Sequence, residues 1–243
     1  MNKNSLVDIK NKFDLKGYVI IEKIFSKLKV RLIKKNLFHY LNKNQKKFNK
    51  KKIHFAKNTN QINSVHHLKW PYLKKLRKNK KINSIVKTLL KEKTRDFGAE
   101  VFAKPAKVGM PAPIHQDNFY WNLNNGKGVT VWIALNKTTK KNGAVFYFDG
   151  SHKYGLLMHK SSFAPGSSQE LRDKKILKKF KKTTPNLNEG DILIHHCLAI
   201  HGSNKNRSNL SRTGLTLRYV GTSSKINKKA QNKYNRKLKE QLK

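Results

Sequence analysis

Val129-Thr130-Val131-Trp132-Ile133-Ala134-Leu135 decides the fold. It is β-branched and apolar, the composition of a buried strand. Asn142-Gly143 comes next, a pair that favours a tight hairpin turn, and Ala144-Val145-Phe146-Tyr147-Phe148 continues as a second strand. Asp149-Gly150-Ser151-His152 then reads as a turn. Two apolar strands this close together, with turn signals between them, place this part of the chain in a β core.

Toward the C-terminus, residues 155–187 form a long polar segment with Pro165-Gly166 and the lysine-rich run Lys174–Lys182. A segment this long in a compact domain is expected to be a lid or binding loop. Asp191–His196 reads as a strand, Gly202–Asn209 as a turn and Thr213–Val220 as the last strand. Residues 222–243 form a basic tail, either a loose helix or disordered.

Toward the N-terminus, Phe97–Ala103 reads as a strand. Lys104–Pro113 holds prolines and a glycine and should be a loop. Ile82, Ile85, Val86, Leu89 and Leu90 mark one face of a helix, and Pro71 opens another helical region with Leu73 and Leu76. Residues 42–62 are rich in Lys and Asn and read as a loop. Ser26 is a candidate N-cap for a helix over 26–41, with Leu28, Val30, Leu32, Ile33, Leu37 and Leu41 near helical spacing. Gly17–Ile21 reads as the opening strand. Helices first and short strands after them predict one mainly-β α+β domain over residues 1–243, a double-sheet barrel with the N-terminal helices packed outside.

Composition narrows the function classes. No run of about 18 apolar residues occurs, so no transmembrane helix is expected. Met1–Lys16 is polar and charged and lacks the apolar core of a secretory signal. Cys197 is the only cysteine, so no intrachain disulfide can form. Both observations fit a reducing cytoplasm. The net charge of +42 would suit nucleic acid or an anionic membrane. Lysine far exceeds arginine, however, and the charge is spread along the chain in runs such as Lys46–Lys52, as AT-rich coding would leave it. Either way, the field favours anionic ligands only locally, since salt screens it beyond about 8 Å.

The chemistry lies in His115-Gln116-Asp117. On a strand, residues i and i+2 project to one face, so an imidazole and a carboxylate can share one metal ion. A histidine from a distant strand would complete a facial triad with open positions, the arrangement of non-haem Fe(II) oxygenases. His152, His159, His195, His196 and His201 are the candidates. His201 is favoured by its downstream neighbours: Gly202, Ser203 and, further on, Arg212. If His201 ends one strand and Arg212 starts its neighbour, both face the barrel interior. A buried arginine needs an anion there, and its planar fork suits a carboxylate. A dicarboxylate that chelates iron at one end would supply that anion at the other, with Ser203 adding a hydroxyl donor. His195 and His196 read as structural or as supports for the ligands, and His152 as a turn residue.

These residues resemble the phytanoyl-CoA dioxygenase family of Fe(II)/2-oxoglutarate oxygenases. Phe13-Asp-Leu-Lys-Gly-Tyr-Val-Ile-Ile21 is similar to the family's opening segment, and His115-Gln-Asp-Asn-Phe-Tyr-Trp121 to its first metal motif. Val131-Trp-Ile-Ala-Leu135 with Asn142-Gly-Ala and Gly150-Ser-His152 is similar to its central hairpin. Gly190-Asp191 through His201-Gly-Ser203 to Arg212 resembles the second metal motif and the co-substrate arginine. The resemblance implies a double-stranded β-helix of the jelly-roll or cupin type. It also implies Fe(II) on His115, Asp117 and His201, and 2-oxoglutarate on Arg212 and Ser203, with Trp132 beside it. Lys104 matches a lysine-proline before the first motif. O2 is the other co-substrate, and succinate and CO2 leave as a small-molecule substrate, an anionic one among the options, is hydroxylated. Halogenating relatives carry a small residue where Asp117 stands, so Asp117 argues for hydroxylation. Asn118 and Trp121 lie just past the metal motif as candidate substrate contacts.

Two other readings compete. The charge, together with Arg212 and Arg218 spaced six apart, suggests a demethylase acting on nucleic acid. The other is a non-catalytic basic binding protein on the same scaffold, against which the complete triad and Arg212 argue.

Overall fold

The computed structural model describes residues 3–48, 52–164 and 167–241. Its larger sheet is antiparallel and has seven strands. Their order is β1 (Tyr18–Ile21), β11 (Ile192–His196), β6 (Gly128–Ala134), β13 (Arg212–Gly221), β4 (Thr94–Lys104), β3 (Ile62–Val65) and β2 (Ile53–Phe55). The smaller sheet holds β10 (Lys182–Thr183), β7 (Val145–Phe148), β12 (His201–Ser203) and β5 (Ala112–His115). A separate hairpin joins β8 (His159–Ala164) to β9 (Ser167–Leu171). This is a double-stranded β-helix.

Side-chain alternation splits the large sheet into two faces. Val129, Val131 and Ile133 of β6 and Leu215, Leu217 and Tyr219 of β13 pack outward with the helices. The helical side of that core is supplied by α1 (Lys3–Lys16), α2 (Lys27–Asn44), α3 (Leu73–Arg77) and α4 (Lys80–Leu90), through Phe13, Ile33, Leu37, Leu76, Ile85 and others. Each such side chain contributes about 1.5–3 kcal/mol when fully buried. The opposite face carries Thr130, Trp132, His195, Arg212, Thr216 and Arg218, and looks into the space between the sheets.

Local signals hold where they are chemical. Ser26 Oγ accepts from the Lys29 amide at 3.2 Å, and Asn79 Oδ1 caps α4 by accepting from Ile82 at 3.0 Å. Several expectations need correction. Leu28 and Leu32 are exposed, while Val30, Ile33, Leu37 and Leu41 are buried, because six residues near helical spacing cannot all share one face. Asn142-Gly143 does not make a hairpin. β6 already pairs with β11 and β13, so β7 has no free edge to join. A 3-10 turn at Lys140–Asn142, ending on left-handed Gly143 (φ 82°), instead carries the chain into the other sheet. The described residues of 155–187 hold β8, β9, β10 and the 3-10 turn Lys175–Lys179. Residues 42–62 contain the end of α2, a 3-10 turn and β2. The polar opening segment forms α1 from Lys3 onward. The tail carries α6 (Lys228–Gln241), whose Tyr234 packs back on the protein. The Pro165-Gly166 pair and the centre of the Lys46–Lys52 run lie outside the described residues.

Candidate metal centre

β5 ends at His115 and β12 begins at His201, and these two residues pair across the strands. Asp117 is not on the strand. It starts the one-turn helix α5 (Asn118–Trp121) in helical geometry (φ −56°, ψ −37°), with its carbonyl accepting from Tyr120 and Trp121. The turn, rather than the pleat, therefore brings its carboxylate beside His115. His201 opens its strand, and Arg212 opens a strand of the other sheet, so the two face each other across the interior rather than as neighbours.

One donor atom from each of His115, Asp117 and His201 lies within 4.8 Å of the others. His115 Nε2 is 3.7 Å and His201 Nε2 is 3.6 Å from Asp117 Oδ1. Each imidazole is oriented from behind: His115 Nδ1–H donates to the Pro113 carbonyl at 2.7 Å and His201 Nδ1–H to Ala199 at 2.9 Å. A carbonyl only accepts, so Nε2 of both rings carries the lone pair a metal requires. Burial, aided by His115, lowers His201 to about 3 and keeps it neutral. Burial alone would raise Asp117, but the surrounding imidazoles, His115 and His195 first, outweigh it and hold the carboxyl well below its usual range. Two neutral imidazoles and one carboxylate on one side suit a divalent first-row metal such as Fe(II).

The second carboxylate oxygen is engaged elsewhere. Thr130 Oγ donates to Oδ2 at 2.7 Å and His195 Nε2 lies 3.0 Å from it. His195 Nδ1 in turn meets the Tyr147 hydroxyl at 3.1 Å. Sequence reasoning misses Thr130 and Tyr147. The usable signal is strand alternation, which puts Thr130 on the interior face two residues before Trp132.

Lys104 and Arg212 face each other across β4 and β13. Arg212 is 1 % exposed and Lys104 4 % exposed, and no described acid pairs with either. Arg212 donates to the carbonyls of Gly143 at 2.6 Å and Phe102 at 3.3 Å, while its buried Nε has no partner. Lys104 Nζ donates to the carbonyls of Met110 and Asn204. Burial, with help from Arg212, lowers the Lys104 ammonium to about 6. Trp132 lies beside Arg212 (5.3 Å from ring centroid to guanidinium carbon), and Ser203 is buried on β12. A buried guanidinium with an unpartnered nitrogen, beside a lysine amine that an arriving carboxylate would protonate, fits a carboxylate.

Asn118 and Trp121 are both buried just beyond the donors. The Asn118 amide closes the loop through both the carbonyl and the N–H of Leu123. Trp121 packs with Leu123, Cys197 and Val220. His159 accepts from the Gln116 amide at 3.1 Å and stacks on Phe119. His152 and His196 pack against Phe13.

Residues 13–214 match the family profile described as phytanoyl-CoA dioxygenase. A probable alpha-ketoglutarate-dependent hypophosphite dioxygenase of Stutzerimonas stutzeri is 27% identical over 63% of the chain. The match spans only about half (54%) of that relative's own length. An ectoine dioxygenase of Sphingopyxis alaskensis is 22% identical over 89% of the chain and 76% of its own. Among solved structures, EctD from S. alaskensis with 2-oxoglutarate and 5-hydroxyectoine superposes with a TM-score of 0.75 at 20% identity, covering 93% of this chain and 78% of the other. That likeness concerns the fold.

Proposed function

The chain belongs to the phytanoyl-CoA dioxygenase family, and on that premise we propose that it is an Fe(II)/2-oxoglutarate-dependent dioxygenase hydroxylating a small molecule. The observation that carries this reading is the pairing of a three-donor cluster at His115, Asp117 and His201 with the buried Arg212 guanidinium and the Lys104 amine beside it, neither of which has an acid partner among the described residues. His115, Asp117 and His201 would hold an Fe(II), which would supply O2 activation coupled to decarboxylation of 2-oxoglutarate to succinate and CO2. The residues have separate jobs. Arg212, Lys104 and Ser203 bind the far carboxylate of the co-substrate, and Trp132 walls it in. Thr130 and His195 hold Asp117 Oδ2, so that Oδ1 is the oxygen that would face an iron ion at the three donors. We read residues 1–243 as one oxygenase domain working in a reducing cytoplasm. None of the described helices is long and apolar enough to cross a membrane.

The test is succinate release, dependent on both Fe(II) and O2, across a panel of small metabolites with alkylated single-stranded DNA as the contrasting arm. Stimulation by a metabolite, abolished in Asp117→Ala, is the expected result. Turnover on DNA alone would favour the nucleic-acid demethylase instead.

A further inference from the structure

The interior face of the large sheet is a grid fixed by strand register. Lys104 stands opposite Arg212, Glu100 opposite Thr216 and Gly98 opposite Arg218. On the other side of β13, Thr216 pairs with Trp132 and Arg218 with Thr130. Strands lie about 4.8 Å apart and rise about 3.4 Å per residue. Glu100 is therefore two strands across and one two-residue step along from Thr130, which holds Asp117. It also lies about 14 Å along β4 from Lys104 at that rise.

Glu100 is built into this position. Arg218 Nη1 lies 3.2 Å and His66 Nδ1 3.0 Å from its Oε1. Gly98 (φ +130°) clears space for Arg218, because a Cβ there would stand 2.7 Å from Nη2. The Phe97 and Trp121 rings lie within 6.0 Å and 5.7 Å of the guanidinium carbon. Burial would raise the Glu100 carboxyl, but Arg218 and His66 outweigh it and hold it at about 2, so it is ionised.

The His66 hydrogen bond falls on Oε1, which is also where the Arg218 ion pair comes closest, and among the described residues no hydrogen bond reaches Oε2. Arg218 Nε is also unpartnered, but it is a buried donor with no path to solvent. The group left to meet a ligand is thus a carboxylate oxygen, which only accepts. Glu100 lies on the same interior face as Thr130, whose hydroxyl holds Asp117. Tyr234 stands 5.8 Å from Tyr120, and Tyr120 stands 5.7 Å from His115, ring to ring. The two rings therefore extend from the metal donors toward α6.

We propose that Glu100 is a substrate-binding residue and that the substrate carries a cationic nitrogen, such as a protonated amine or amidine, which donates to Oε2. The proposal rests on the oxygenase reading above and names its substrate class. A buried carboxylate with an oxygen free of hydrogen bonds is a receptor for such a group. The arrangement also sorts ligands: anions are drawn to Lys104 and Arg212, and cations to Glu100. The external positive charge does not oppose this, because salt screens it beyond about 8 Å. A buried ion pair kept for stability alone is a poor alternative, since such pairs seldom repay desolvation.

The probes are n-butylamine, butyramide and butyrate, titrated anaerobically into the Fe(II)/2-oxoglutarate complex and read by the shift of its visible absorption. The amine is expected to bind about tenfold or more tightly than either analogue, a difference of about 1.4 kcal/mol. Glu100→Gln should erase that preference, and Glu100→Asp, which keeps the charge, should restore part of it. Equal binding of the three probes, tighter binding of butyrate, or an amine preference that survives in Glu100→Gln would overturn the proposal. Should Glu100→Gln fail to fold, Glu100→Asp and the wild-type ranking decide it. Absence of the Fe(II)/2-oxoglutarate absorption in the wild-type protein would instead sink the oxygenase reading itself.

Discussion

His195 Nε2 lies 3.0 Å from Asp117 Oδ2, on the carboxylate oxygen opposite the one that faces His115 and His201. Thr130 Oγ holds the same oxygen at 2.7 Å. Outer partners of this kind typically carry about 10–100-fold of metal affinity. Thr130→Val preserves shape and removes the donor, and His195→Gln shortens the reach of the other. Each should weaken Fe(II) or Co(II) binding by about tenfold or more in a direct titration. Unchanged affinity in the double variant would mean that Asp117 needs no such support.

Co-substrate binding should take up a proton. Lys104 is lowered to about 6, so it is mostly neutral near neutral pH before a dicarboxylate arrives. An adjacent carboxylate favours the charged form. Calorimetry of 2-oxoglutarate binding at about pH 7.5 in buffers of different ionisation heat should show uptake of nearly one proton, and Lys104→Met should remove it. Identical heats in all buffers would contradict this.

The same group gives a signed pH dependence of stability. The folded value of about 6 lies below the ordinary lysine value of 10.5. Between the two, the unfolded chain binds more protons than the folded one, so this residue makes stability rise with pH across that window. Its destabilising effect is fully present below about 6. Denaturant titrations from pH 6 to 9 should show a shallower rise in Lys104→Met than in the parent.

Gly214 has no room for a side chain: an added Cβ would stand 2.0 Å from the Trp132 ring. Gly214→Ala must push Trp132 away from Arg212. We expect a loss of about 1–3 kcal/mol in stability together with weaker 2-oxoglutarate binding. A variant with normal co-substrate affinity would remove Trp132 from the site.

The two leucine types of α2 should separate cleanly. Leu37 is fully buried and Leu28 is 77% exposed. Leu37→Ala should cost about 2–5 kcal/mol, and Leu28→Gln less than about 0.5 kcal/mol, measured by chemical unfolding.

The features legible in the sequence rest on chemistry that acts locally. Ser26 caps its helix, the β-branched run Val129–Leu135 makes a strand, and His115, Asp117 and His201 carry their chemistry in their residue types. The hidden features depend on distant pairing. Asn142-Gly143 signals a turn, but only the occupied edges of β6 show that the chain leaves the sheet there. The pleat explains an i, i+2 pair so simply that Asp117 reads as a strand residue, yet a helical turn achieves the same convergence. Glu100, Thr130 and Tyr147 look ordinary alone. Their roles appear only once register places them on the inner faces. The basic tail reads as featureless because its packing rests chiefly on Tyr234 meeting Phe119 and Tyr120.

The central claim is one Fe(II) held by His115, Asp117 and His201 with 2-oxoglutarate anchored at Arg212. The most direct measurement is anaerobic titration of Fe(II) and 2-oxoglutarate into the protein, monitored by visible charge-transfer absorption. The account predicts a saturable band, absent in Asp117→Ala and in Arg212→Ala formed only at much higher 2-oxoglutarate. No band in the parent protein, or a band untouched by both substitutions, would contradict it.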